Sequence, residues 1–122
     1  MVRLRSAAVW AGAIFLAVAF VAVGLSKFQG ASALRWSERF GQWGYPANTA
    51  YVVGAFEILG GIGVLIRRWR RAASLMLGVL MTGALATHLV HAEFPRVIPP
   101  LVLGGVAFLV YWSHPRPTDR VD

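Results

Sequence analysis

Gly54-Ala55-Phe56-Glu57-Ile58-Leu59-Gly60-Gly61-Ile62-Gly63 sets one carboxylate inside an apolar, glycine-rich run. No other charged residue occurs between Phe40 and Ile66. If this run crosses a bilayer, Glu57 lies near the midplane, where an ionisable side chain costs about 2.5 kcal/mol or more to insert. Such a residue needs a partner or a function, and burial favours its neutral form unless a cation is close.

The rest of the chain supports the membrane reading. Of its 122 residues, 57% are hydrophobic and 14% charged, against about 25% charged in soluble domains. The length gives a single domain, 1–122. Twelve Lys+Arg against five Asp+Glu leave a net charge of +7. In a soluble protein that excess would point to nucleic acid. Here the basic residues form short clusters between apolar runs, as membrane topology signals do, so no nucleic-acid partner is expected. The absence of cysteine excludes disulfides, thiolate metal sites, iron–sulfur ligation and thiol redox chemistry within this chain.

Working outward from Glu57, the apolar segments predict four transmembrane helices, at about 7–25, 47–66, 72–91 and 97–112. The first is long enough for a hydrocarbon core of about 30 Å. It is read as a span and not as a signal peptide, because the run exceeds an h-region and Lys27 interrupts the approach to Ala31-Ser32-Ala33. Between the first two spans, Ala33, Trp36, Phe40 and Trp43 recur at helical spacing, with Arg35, Glu38, Arg39 and Gln42 on the other side. A short amphipathic helix over 32–43 follows, capped by Ser32 and ended by Gly44 and Pro46. It either lies in the interface plane or packs on the bundle, or does both. Residues 113–122 form a polar tail with Pro115 and Pro117. The expected fold is all-α, an integral membrane four-helix bundle with one interfacial helix.

The orientation follows from the cations. Arg3, Arg5, Arg67, Arg68, Arg70, Arg71, Arg116 and Arg120 fall on one side, and Lys27, Arg35, Arg39 and Arg96 on the other. The positive-inside rule puts the first group and both termini in the cytoplasm. Trp10, Trp69 and Trp112 then mark the inner interface, and Trp36 and Trp43 the outer one.

Ala50, Gly54, Glu57 and Gly61 share one stripe of the second span. Small residues admit a neighbouring backbone, so Glu57 is expected to face the bundle interior. Counting about ten residues, or about 15 Å, down from the outer boundary brings Glu57 level with Thr82 on the third span. His88 falls nearer the surface and Lys27 at the rim, where it can meet His88, Glu93 or a bound anion. His88, His91 and Glu93 are the weak candidates for a metal, but defined geometry needs three or four ligands, and no metal is expected. Nor is haem, since His114 falls at the opposite surface. No phosphate-binding loop or nucleophile motif occurs.

Several motifs fall in a recognisable order. Gly24-Leu25-Ser26-Lys27-Phe28 closes the first span, and Phe40-Gly41 and Gly44-Tyr45-Pro46 precede the second. Glu57-Ile58-Leu59-Gly60-Gly61 lies within it, Arg71-Ala72-Ala73 opens the third, and the stretch from Met81 to His88 covers its second half. Over roughly Gly24 to Trp112 the chain resembles the DoxX-like family of small bacterial membrane proteins. The resemblance implies a four-helix membrane bundle in the bacterial cytoplasmic (inner) membrane and a role in respiratory or redox chemistry. Relatives include the small subunit of a thiosulfate–quinone oxidoreductase and a membrane partner in an oxidative-stress complex. The family's polar signature, carried over by position, falls on Lys27, Glu57 and His88. With Thr82 these are the candidate ligand- or proton-handling residues. The expected function is a membrane subunit, surrounded by lipid, that binds a quinone or similar lipophilic molecule for a redox partner protein. The chain has no redox centre or catalytic motif of its own, so electrons would come from that partner. The alternatives are a non-enzymatic scaffold or anchor and a small transporter or proton path.

Overall fold

The computed structural model describes residues 2–114. The predicted tail from Pro115 on, with Arg116 and Arg120, lies outside the described residues. Among the described residues all regular structure is helical: α1 (Val2–Ser26), α2 (Gly30–Gln42), α3 (Thr49–Gly63), α4 (Arg70–Val90), a 3₁₀ turn (Phe94–Val97) and α5 (Ile98–Ser113). Among the described residues three segments are long and apolar enough to cross a membrane: Arg3–Ser26, Arg70–Val90 and the turn plus α5, Phe94–Ser113. Large apolar side chains such as Val18, Leu59, Val79 and Leu109 are exposed around them, as an apolar solvent requires.

α3 is shorter than the expected 47–66. Its 15 residues rise about 22 Å. Beyond Gly63 the chain tightens into i→i+3 bonds, Leu65 N–H to Ile62 O and Ile66 N–H to Gly63 O, both 3.1 Å. α2 also departs from expectation at its start. It begins at Gly30, whose φ is +43°, and Gln29 precedes it without a side-chain cap, so Ser32 lies inside the helix. Its end is a Schellman motif around Gly44 at φ +89°. Gly44 N–H donates to Gly41 O and Tyr45 N–H to Phe40 O, each at 3.0 Å. The motif brings the residue after the turn against the residue three from the helix end, here Tyr45 against Phe40, with ring centroids 5.7 Å apart. Pro99 and Pro100 sit in the first turn of α5, where a missing N–H breaks no helical bond.

α1 and α3 run antiparallel in glycine-mediated contact. A Cβ on Gly24 would lie 2.8 Å from Gly54 O, and one on Gly61 3.3 Å from Ala17 O. The packed core lies away from α2. Leu16, Phe20, Val64, Leu77, Ala107 and Val110 form its centre, from α1, α4, α5 and the end of α3. The buried face of α3 itself consists of Ala50, Gly54, Glu57, Gly60 and Gly61. That face carries no large apolar side chain.

Candidate functional site

Lys27 and Glu57 are both buried, at 2% and 3% exposure. Lys27 Nζ lies 2.7 Å from Glu57 Oε1, within ion-pair range though off the line a hydrogen bond to that oxygen requires. The meeting follows from the Gly24–Gly54 contact. Lys27 lies three residues after Gly24, and Glu57 three after Gly54. In antiparallel helices these steps go in opposite directions. Helical side chains lean toward their own N-terminus, so the two polar groups lean back toward each other. The closeness of the backbones does the rest: a Cβ on Gly54 would be 3.0 Å from Lys27 Cβ.

The sequence expectation that Glu57 is matched by Thr82 is corrected here. Thr82 is exposed and its hydroxyl donates to Gly78 O at 2.9 Å on its own helix. Lys27 was expected at the rim, but its four-carbon stem carries the charge inward while its backbone stays at the end of α1.

Trp36 of α2 holds the ammonium from the other side. Lys27 Nζ sits 3.8 Å from the Trp36 ring centroid, well inside cation–π range. The indole is fixed in turn: its Nε1–H donates to Ser26 Oγ at 3.0 Å, and Ser26 donates to Val23 O. Arg39 stands 5.0 Å from the same ring. Sequence spacing assigned Arg39 to the polar face. On a helical wheel it lies 60° from Trp36, at the border of the two faces, which lets it turn inward.

These groups border a cavity of about 470 Å³ lined by α3, α4 and the start of α5, with α2 and the end of α1 along its other side. Most of its wall is apolar, from Val23, Phe40, Val53, Leu80, Ala84 and Leu103 among others. The polar side chains on it are Lys27, Glu57, Trp36, Arg39, Trp43, Tyr45, Thr49, Thr87, His88 and Arg96. The volume falls in the range of small-molecule sites, about 300–1,000 Å³. From α3 the wall takes Thr49, Val53 and Glu57, while the glycines of that helix are packed against α1 and α4.

The far wall is ordered by two helix ends. Thr87 Oγ1 donates to Gly83 O at 2.9 Å, so the Tyr45 hydroxyl, 2.6 Å away, is the donor to Thr87. α4 ends in a second Schellman motif, with Glu93 N–H donating to His88 O at 2.8 Å and Ala92 N–H to Leu89 O at 3.2 Å. The motif sets Glu93 beside His88, and His88 Nδ1 lies 2.9 Å from Glu93 Oε1. Trp43 Nε1–H also donates to Glu93 Oε1 at 3.0 Å, and Arg96 Nη1–H to Oε2 at 3.0 Å. Together these contacts hold the Glu93 carboxyl below the usual carboxylate range, the His88 hydrogen bond most of all, against some desolvation. Ala92, at φ 55°, occupies the left-handed position that glycine ordinarily takes, at a cost of about 1–2 kcal/mol.

Of the weak metal candidates, His88 and Glu93 bond each other, while His91 Nδ1–H donates back to Thr87 O at 2.8 Å. Among the described residues no group of three or more His, Cys, Asp or Glu converges as a metal would require. Sequence reading missed Arg39, Tyr45, Thr87 and Arg96 as cavity residues. The two helix-end motifs carry Tyr45, and with it Thr87, to the wall; only Gly44-Tyr45 offered a signal in advance.

The arrangement suits a molecule with an apolar body and one or more oxygens. The wall supplies a donor in Lys27, an acceptor in Glu57, aromatic faces in Trp36 and Phe40, and an imidazole in His88. The model of the DoxX-like family matches residues 11–110. A Bacillus subtilis (strain 168) protein named "Putative oxidoreductase CatD" is 32% identical over 81 residues, which are 66% of this chain and 59% of that protein. The chain thus spans less than two thirds of that relative's length. No solved structure matches it.

Proposed function

The chain belongs to the DoxX-like family, and from that premise we propose that it is a membrane subunit whose cavity holds a quinone or similar lipophilic molecule for a redox partner protein. The observation that carries the reading is the Lys27–Glu57 ion pair, buried beside a mostly apolar cavity of about 470 Å³. Intramembrane charges are costly, and they concentrate where something is bound or moved. A quinone, when bound, supplies reversible electron and proton chemistry on a lipid-soluble ring. This chain's residues supply the rest. Lys27 donates to a ring oxygen, Glu57 accepts from a hydroxyl, and Trp36 and Phe40 cover the ring. α2 keeps water from the ion pair. The name of the Bacillus subtilis relative agrees with a redox setting. The family resemblance favours a bacterial inner membrane, and the distribution of arginines favours cytoplasmic termini, an orientation in which the cavity would lie in the outer half of the bilayer.

The test is binding of decylubiquinone to the purified protein in lipid nanodiscs, read by quenching of Trp36 and Trp43 fluorescence. Saturable quenching is expected in the wild type. Glu57→Gln should weaken binding at least tenfold. Ala84→Phe, which fills the cavity and leaves the ion pair untouched, should abolish it. Equal affinity in wild type and Ala84→Phe would refute the cavity as the site.

A further inference from the structure

His88 lies on the cavity wall with its Nδ1 committed to Glu93. Glu93 is itself fixed on both oxygens, by Trp43 at the C-cap of α2 and by Arg96 from the 3₁₀ turn. A carboxylate can only accept, so the proton of the neutral imidazole resides on Nδ1 and the lone pair on Nε2. Nε2 makes no polar contact among the described residues. A carboxylate–imidazole pair of this kind orients the ring and stabilises the imidazolium when it forms. A helix-end cap has no need of Trp43 and Arg96, and a purely structural histidine gains nothing from a bare Nε2 beside a cavity.

We infer that His88 is the proton-exchanging contact of the cavity, with Glu93 its positioning residue, and that the ligand class is a lipophilic ring whose oxygen alternates between hydroxyl and carbonyl. The neutral ring accepts from a hydroxyl through Nε2, and the imidazolium donates to a carbonyl. Binding of the two oxidation states is thereby linked to one proton. The inference rests on the reading of the cavity as a quinone site. The other charged or titratable groups around the cavity and the His88 ring are Lys27 at the end of α1, Arg39 on α2, Tyr45 between α2 and α3, Glu57 on α3, His91 at the end of α4, and Glu93 and Arg96 beyond it. His91 is off the cavity wall and bonded to Thr87 O, so it serves as a control.

The experiment measures the affinities of decylubiquinone and decylubiquinol in nanodiscs over about pH 5 to 8, where histidine titrates. In the wild type the quinol should gain on the quinone as pH rises, by up to about tenfold per pH unit for a single linked proton. His88→Gln should flatten that dependence. Glu93→Gln should move it to lower pH, because losing the adjacent anion disfavours the imidazolium. His91→Gln should leave it unchanged. Histidine ¹⁵N spectra of the wild type need no variant: decylubiquinol should shift the Nε2 resonance of His88. Dependence surviving in His88→Gln, a Glu93→Gln profile identical to wild type, or an unmoved Nε2 resonance overturns the assignment. A wild type that binds both forms without pH dependence removes His88 alone; one that binds neither removes the cavity reading and this inference together.

Discussion

Two cations are buried at opposite ends of the bundle, and they are kept there in different ways. Arg70 is 1% exposed. Its Nε–H donates to Val64 O at 2.6 Å, and its guanidinium lies 4.0 Å over the Trp10 ring. It closes the end of α3, where carbonyls are left without intrahelical partners and a positive charge is favoured. Lys27 also sits over an indole, but opposite a carboxylate and against open volume. Burial of charge by itself therefore does not mark a site. What distinguishes Lys27 is a counter-ion and adjacent space, while Arg70 meets a backbone dipole and an aromatic face.

The sharpest way to break this comparison is to remove one charge. Glu57→Gln leaves Lys27 buried without its anion, and a loss of about 3–5 kcal/mol is expected. The double variant Lys27→Met/Glu57→Gln should recover much of that, because the pair is removed as a unit. Denaturant unfolding in detergent micelles measures both. A Glu57→Gln single variant as stable as wild type would mean that the ion pair does not hold α1 to α3.

Arg70→Met should cost less, about 1–3 kcal/mol, through the Val64 carbonyl left unpaired. It should leave decylubiquinone affinity untouched, since Arg70 is at the other end of the molecule. A variant with normal stability and impaired binding would reverse the assignment of the two cations.

The smallest effect concerns pH. The Glu93 carboxyl is held below the usual carboxylate range in the folded protein, chiefly by His88. A group depressed by folding contributes stability above its unfolded value and loses it as pH falls through its folded value. The stability difference between wild type and Glu93→Gln should therefore be full near neutrality. It should shrink through and below the usual carboxylate range, as followed by thermal melts. A difference that grows on acidification contradicts the hydrogen-bond network around Glu93.

Much of the fold is legible in the residues. The apolar runs and arginine clusters predict the helices and their turns, because a membrane segment needs length and low polarity and little else. The stripe Ala50, Gly54, Glu57, Gly61 places Glu57 on the buried side, because small residues belong where helices touch. The extent of α3 was less legible, since an apolar sequence continues to Ile66 while the backbone tightens after Gly63.

Sequence by itself determined that one carboxylate would be buried among helices and that Trp36 and Trp43 would share a face of α2. Tertiary structure alone decided what meets them. Counting residues along a helix gives the depth of a Cα and ignores how far a lysine reaches, so Thr82 looked level with Glu57 while Lys27 arrives. The Gly24–Gly54 contact, which makes that reach sufficient, belongs to two helices at once. The Glu93–His88 contact depends on Ala92 taking a conformation that its residue type disfavours. The cavity is a volume that several elements decline to fill, and no single stretch of chain encodes it.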